Sequence, residues 1–246
     1  MTILAFETSA KPVSVSLLRG GRVAASEFEN AGLTHSVTLM PMAERVLAAA
    51  GLTPAAVDFF AVAAGPGSFT GLRIGVGTVK GLGWAAEKPC AAVSTLLAMA
   101  YLHPGFDGVV CPVMDARRGQ VYAALFDTSG GAPERLEADG ALGLGELFDL
   151  LERRSRPVLF VGDGATLAAA GAAERPLAVP FSVPEGEARF QHADGVALAA
   201  WAAVQTVQAG GTAADGVALT DAAALRPAYL RLAQAEREKL EREGKA

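Results

Sequence analysis

The sequence predicts an α/β protein built in two halves, and three observations carry that expectation. Apolar residues alternate at every second position in some segments and recur at helical spacing in others. Strand-like and helix-like segments follow one another along most of the chain, the pattern of sheets covered by helices. With 246 residues, 51% of them apolar, the chain can bury about 70% of the surface it would expose unfolded, so its core needs neither metal nor disulfide. That length allows one large or two small domains.

Residues 2–8 and 12–19 read as strands, the second alternating Val13, Val15 and Leu17 with Ser14 and Ser16. Gly20-Gly21 turns the chain into a third strand over 22–28. Thr34 offers an N-cap to a helix reaching Ala50 and stopped by Gly51, and Pro41 inside it implies a kink or a fresh start. Thr53-Pro54 opens a short turn, 59–64 is a buried strand, the Gly-rich stretch 65–71 follows, and a helix continues to about Ala86. A strand at 89–93 and a helix at 95–102 come next. Strands at 109–114 and 121–126 then open a second β-rich half. Helix, strand and helix alternate over 143–153, 157–161 and 166–170, so parallel pairing is expected there too. Residues 171–188, rich in Pro, Gly and Glu, read as irregular. The helix at 192–208 has almost no polar face, which places it inside or between domains. The stretch 234–246 is charged throughout and reads as a solvated helix or tail, with Glu238 and Arg242 four apart.

Composition excludes several classes. The 21 Lys and Arg against 26 Asp and Glu give a net charge of −5, which argues against broad, unaided binding to nucleic acid. Gly, Pro and charges interrupt every run before the roughly 20 apolar residues of a membrane span. Glu7 cuts the apolar start too early for a secretory leader, so a cytoplasmic protein is expected. Cys90 and Cys111 sit in apolar strands and read as inert buried thiols.

The strongest local signal is Gly65-Pro66-Gly67-Ser68-Phe69-Thr70-Gly71-Leu72-Arg73-Ile74-Gly75, between a buried strand and a helix. Its glycines either let strand and helix pack tightly or bring backbone amides toward an anion at the helix N-terminus. The spacing is not that of the dinucleotide fingerprint, and no Gly-Lys-Ser/Thr step makes it a P-loop. The helix also carries Gly77, Gly81 and Gly83, each costing about 1 kcal/mol relative to Ala. Gly71 with Gly75, and Gly77 with Gly81, lie four apart on one face, which would admit a closely packed second helix such as 34–50. That helix bears two apolar stripes, Leu39, Met42, Val46 and Ala50 beside Met40, Ala43 and Leu47. The two helices either pack wholly inside one domain or share a face with another subunit.

Catalytic constellations are thin. Glu7 ends the first strand beside Thr8 and Ser9, where a carboxylate can hold a hydrated Mg²⁺ or cap the turn. Asp115-Ala116-Arg117-Arg118 ends another strand, its arginines suited to phosphate, to carboxylate or to a surface ion pair. Val161-Gly162-Asp163-Gly164-Ala165 is a glycine turn compatible with a nucleotide and common in α/β domains. His35, His103 and His192 are far apart and none has a His or Cys at ligand spacing, so no metal site is expected.

Phe6-Glu7-Thr8-Ser9, the His35-Ser36 helix continuing to Leu39-Met40-Pro41, the loop 65–75 and the turn Asp115 to Arg118 together resemble the TsaB family, also called YeaZ. That family is the non-catalytic partner of TsaD in making threonylcarbamoyladenosine at position 37 of tRNA. The likeness is clearest in the first half; the second matches in outline, with Pro227-Ala228-Tyr229-Leu230-Arg231 near its end. It implies the actin, sugar kinase and Hsp70 type of fold, with two related α/β lobes. On this chain those are 1–104, carrying the partner-binding helices, and 105–233, followed by the charged tail 234–246. It also implies that the chain has no catalytic site of its own. TsaD uses two histidines four apart for its metal, and Ser94 and Ala98 stand where they would fall. Neither side chain replaces imidazole as a ligand.

The partner the resemblance implies is TsaD, contacted through the N-terminal lobe, with a homodimer through the same surface when the chain is alone. Carried onto this sequence, Leu39, Met42, Ala43 and Val46 are expected to pack with Leu72, Val76 and Val79 across a subunit boundary. The implied role is a scaffold that activates TsaD and helps TsaE and tRNA to engage. No cofactor is required. ATP or ADP at the partner interface is compatible, with Glu7, Thr8, Ser9, Gly65, Gly67, Ser68, Arg117 and Arg118 as nucleotide or anion candidates. The competing reading is an ATP-dependent kinase or ATPase of the same fold, resting on Glu7, the loop 65–75, Arg117 and Arg118.

Overall fold

In chain order the computed structural model contains β1 (Thr2–Glu7), β2 (Val13–Arg19), β3 (Arg22–Glu29), α1 (His35–Ala49), β4 (Phe59–Gly65), α2 (Phe69–Ala86), β5 (Cys90–Ser94), α3 (Thr95–Tyr101), β6 (Val109–Arg117), β7 (Gln120–Asp127), β8 (Glu134–Gly143), α4 (Leu144–Arg154), β9 (Val158–Val161), α5 (Ala165–Glu174), β10 (Phe181–Ser182), α6 (Ala193–Gln208) and β11 (Val217–Thr220). The structure describes residues 1–32 and 34–230. The expected charged tail 234–246, its Glu238 and Arg242 pair, and Arg231 lie outside the described residues.

Two sheets organise the molecule. The first runs β11-β5-β4-β1-β2-β3 and the second β10-β9-β6-β7-β8. In the first, β1, β2 and β3 form an antiparallel meander, while β4 and β5 join in parallel on the other side of β1. The second sheet repeats this plan, with β6, β7 and β8 antiparallel and β9 parallel to β6.

Side-chain size sorts the layers. Both faces of β1 are buried, as a central strand requires. Leu4 and Phe6 point, with Phe60 and Val62 of β4, toward α1 and α2, whose Leu39, Met42, Val46, Val76 and Val79 fill that core. The opposite face is lined by Ala5, Ala61, Ala63 and Ala91, against which α6 lays Ala193, Ala197 and Ala200. Small residues on both sides bring α6 close, and its first amide reaches the sheet, Ala193 N donating to Ser14 Oγ at 2.8 Å. The apolar helix at 192–208, expected inside or between domains, lies between the two sheets: α3 and α6 are sandwiched by them, and residues of both, Ala61, Val110, Phe126 and Val161 among them, share that core. α4 and α5 cover the outer face of the second sheet.

Local details differ from the sequence reading in four places. α1 runs unbroken through Pro41, and Thr34 at its N-cap makes no side-chain cap bond. Gly51, at φ +66°, does end it, with Leu52 N returning to Leu47 O at 3.0 Å. β8 and β11 were not expected as strands: β8 is polar and interrupted by Gly140, and β11 has four residues, so each owes its form to pairing with β7 or β5 rather than to its own pattern. The stretch 171–188 holds the end of α5, the two-residue β10 and a 3₁₀ turn at Gly186–Arg189. Finally, a single boundary at 104 separates neither the sheets nor the layers, because β11 returns to the edge of the first sheet and α6 to its alanine face.

Candidate functional site

β1 and β4 end side by side, Phe6 opposite Val62, so the turn after Glu7 and the Gly-rich loop after Gly65 meet at one edge of the sheet. Ser68 N donates to Ser9 O at 2.6 Å, and Thr8 Oγ1 donates to Gly71 O at 2.8 Å. A Cβ on Gly71 would sit 2.0 Å from Thr8 O, and one on Gly75 would sit 2.4 Å from Thr8 Oγ1. The sequence reading offered these two glycines both to tight packing of strand and helix and to a second helix. The structure shows the first and corrects the second, since they bring α2 against the end of β1. Gly77 and Gly81 meet nothing within 4 Å.

This edge forms one wall of a cleft of about 500 Å³ between the lobes, lined among others by Ser9, Lys11, Ser68, Asp115, Arg117, Asp163 and Tyr229. Thus the structure brings together Glu7, Thr8, Ser9, Gly65, Gly67 and Ser68, six of the nucleotide or anion candidates. Their donors, however, turn inward. Ser9 N is given to Glu7 Oε1 at 2.6 Å, Ser68 N to Ser9 O, and Ser68 Oγ accepts from Gly71 N at 3.3 Å. Glu7 is fully buried, its Oε2 has no hydrogen-bond partner, and burial pushes its pKa up to about 7. Asp163, from the turn after β9, is raised chiefly by burial as well, although Gln191 Nε2 donates to it at 2.6 Å. His192, at the N-cap of α6, lowers the Glu7 pKa by attraction and Asp163 raises it. A buried Glu7, a half-buried Asp163 and spent amides do not fit a bare phosphate on the cleft floor. Of the two expected arginines, Arg117 lines the cleft. Arg117 and Arg118 are exposed on the β6–β7 hairpin at φ +66° and +57°, Arg117 facing Asp115 at 3.4 Å.

The expected partner residues need a correction. Leu39, Met42, Ala43, Val46, Leu72, Val76 and Val79 are all buried within the chain. They hold α1 and α2 to the bulky face of the first sheet, where Leu4, Phe6, Phe60 and Val62 demand apolar cover, so none of them is free to meet another subunit. The same helices expose other residues. Val37 is 70% exposed, Met40 38% and Trp84 72%. Gly77 and Gly81 lie open between them, and a shallow apolar groove of about 310 Å³ runs past Met40, Leu47, Leu52 and Leu82.

Ser94 and Ala98 have structural uses. Ser94 Oγ accepts from Leu97 N at 3.2 Å and donates to Asp139 Oδ2 at 2.5 Å. Asp139 also pairs with Arg135, whose Nε faces Asp215 at 3.1 Å, which ties β8 to the start of α3. Gly195 of α6 packs on the Ala98 carbonyl. Among the described residues no group of three or more His, Cys, Asp or Glu is placed to hold a metal. Cys90 and Cys111 are buried free thiols, burial pushing the first up to about 11 and the second further.

Sequence reasoning missed Arg135, Asp139 and Gln191, which carry no motif. It quoted Tyr229 without a role. That residue ends a strap over 221–230: Ala228 N donates to Ala64 O at 2.7 Å, and the Tyr229 ring stacks on Phe69 at 4.9 Å.

Comparison with known proteins places this geometry. The protein-family model for TsaD, tRNA N6-adenosine threonylcarbamoyltransferase, matches residues 28–238. The chain is 39% identical over 167 residues to the tRNA threonylcarbamoyladenosine biosynthesis protein TsaB of Bacillus subtilis, covering 68% of this chain and 73% of that one. The solved structure of YeaZ from Pseudomonas aeruginosa superposes with a TM-score of 0.73 at 29% identity, over 93% of this chain and 99% of the other. An ADPNP-bound activator of 2-hydroxyisocaproyl-CoA dehydratase from Clostridium difficile, 14% identical with a TM-score of 0.50 over 85% of this chain and 98% of that one, shares the fold alone. The fold class is therefore actin-like α/β with two lobes.

Proposed function

The chain belongs to the TsaB family of tRNA threonylcarbamoyladenosine biosynthesis proteins, and from that premise we propose that it is a non-catalytic subunit that binds TsaD and activates threonylcarbamoyl transfer to adenosine 37 of tRNA. The observation that supports the reading is the exposed face of α1 and α2. Gly77 and Gly81 give up about 1 kcal/mol each of helix propensity and make no contact within the chain that needs a glycine. A second backbone can approach there, with Met40 and Trp84 flanking the glycines as side chains to bury. Burying about 800 Å² per partner would make a specific complex.

In this reading the same face pairs two copies when TsaD is absent, while TsaE and tRNA engage through the assembled complex. An adenine nucleotide carried at that assembly would meet Arg117 at the cleft and Arg118 on the same hairpin. The inward-turned amides of Ser9 and Ser68 favour this over ATP turnover by the chain itself.

Light scattering after gel filtration, on the chain alone and mixed with TsaD, tests the proposal. Co-elution with TsaD, lost in Met40→Glu while the far-UV spectrum is unchanged, is the expected outcome. ATP hydrolysis by the isolated chain, abolished in Glu7→Ala and indifferent to TsaD, would overturn it.

A further inference from the structure

The strap at 221–230 lies along α2 and leaves a second groove of about 330 Å³ between them, lined by Arg73, Gly77, Lys80, Arg226 and Tyr229 among others. Its electrostatics run against the molecule. The chain carries a net −5, yet three cations border this groove and none of them is in an ion pair among the described residues. Lys80 Nζ donates to the carbonyls of Ala223 and Leu225 at 3.0 and 3.2 Å, and Arg226 donates to Leu225 O at 2.8 Å. Arg73 donates Nε to Tyr229 Oη at 3.2 Å, its guanidinium 3.8 Å above the Phe69 ring. Carbonyl and hydroxyl partners fix the directions of these side chains, and among the described residues no carboxylate pairs with their charges. Asp221, at the start of the strap, spends one oxygen on Ala224 N.

We propose that this groove is a contact for RNA, with phosphodiesters against Arg73, Lys80 and Arg226 and ring surface for an unpaired base at Tyr229. The proposal rests on the subunit reading above and deepens it, because it names the part of this chain that meets tRNA. Three features select RNA over an acidic peptide. Arg73 and Lys80 are seven residues apart on one helix, about 10 Å along its axis, so the charge is strung along a line rather than gathered at a point. Arg73 stands over the Phe69 ring with Cζ 3.8 Å from its centroid and spends only Nε on Tyr229, so its terminal nitrogens are the donors a phosphate would meet. Tyr229 is 40% exposed and also lines the interlobe cleft, so a ring stands at the end of the cationic track, the pairing of charge and stacking surface that single-stranded segments use. Gly77 floors the groove and keeps it open, and it borders the face proposed for TsaD, so an RNA strand here would run along the subunit junction.

The test is fluorescence anisotropy with an unmodified tRNA transcript from 50 to 200 mM KCl, on the full chain alone and on its mixture with TsaD. Arg73→Gln with Arg226→Gln is the informative pair, since Lys80 ties the strap to α2 through two backbone carbonyls and Arg73 through a single Tyr229 hydroxyl. The expected result is a five- to tenfold weaker tRNA affinity at 100 mM KCl. The slope of log affinity on log salt should fall by about 1.5, at roughly 0.7–0.9 per lost phosphate contact. Arg73→Lys with Arg226→Lys restores the slope. An unchanged slope in the Gln pair, no tRNA binding by the wild-type chain or mixture, or equal variant-sensitive binding of a polyglutamate probe would each overturn the groove. Loss of co-elution with TsaD in the wild type would overturn the subunit reading instead, and gel filtration reads that separately.

Discussion

The Thr8 hydroxyl donates to the Gly71 carbonyl at 2.8 Å, and this bond sits where a methyl group on Gly71 would fall 2.0 Å from Thr8 O. The close approach of α2 to β1 is thus a property of two residues. Gly71→Ala must push the helix off the strand and is expected to cost at least about 3 kcal/mol. Gly77→Ala and Gly81→Ala meet open space and should each stabilise the isolated chain by about 1 kcal/mol. Thermal unfolding of the three variants checks the contrast. The same two stabilising changes should weaken co-elution with TsaD, since each adds a methyl to the proposed docking face.

Buried and exposed residues of α1 and α2 separate folding from pairing. Leu72→Glu and Val76→Glu place a carboxylate in the core between α2 and the first sheet and should unfold the chain. Met40→Glu and Trp84→Glu act at the surface. They should leave the far-UV spectrum unchanged and remove the complex with TsaD, as read by circular dichroism and gel filtration.

Glu7 makes stability depend on pH. Its carboxyl titrates near 7 in the folded chain against an ordinary 4.5, because burial disfavours its charge. The folded state therefore binds the extra proton between those values, and the stability this group contributes is full below pH 4.5 and lost as pH rises through 7. The loss is of order 3 kcal/mol. Urea unfolding from pH 5 to 8 should show Glu7→Gln matching the wild type at pH 5 and exceeding it at pH 8. A pH-independent difference between the two would contradict this account.

Arg118 occupies left-handed backbone beside Gly119 in the β6–β7 turn, a conformation that costs a side-chain-bearing residue about 1 kcal/mol or more. Arg118→Asn should raise the melting temperature by about 2 °C. It should also weaken any adenine nucleotide bound by the assembled complex, which equilibrium dialysis with labelled ADP would read. A strained arginine kept on the hairpin whose Arg117 lines the cleft is the pattern of a residue held for a ligand.

The sequence made the order of strands and helices readable because β1, β2, β4 and β6 carry strong apolar patterns, and the glycine at 51 marks a helix end unambiguously. It left β8 and β11 unread, since neither has a pattern of its own and both form by pairing with strands distant in sequence. The partner residues were misplaced for a related reason. An apolar stripe such as Leu39, Met42 and Val46 looks the same whether a sheet or a subunit covers it, and the sheet had first claim. What distinguishes the outward face is residues with nothing to touch, Gly77 and Gly81, and only coordinates show that. Gln191, Asp139 and Tyr229 became visible when chain segments far apart in sequence were brought together.

The return of β11 to the edge of β5 has a consequence for biosynthesis. During translation the first sheet emerges early but waits for its last strand, about 120 residues after β5, and for α6 against its alanine face. At about 5–20 residues per second the nascent polypeptide spends on the order of ten seconds with a bare hydrogen-bonding edge and uncovered alanines, a period in which neighbouring chains on one polysome can pair with it. Premature stops upstream of α6 should accordingly yield aggregates rather than a working half-molecule.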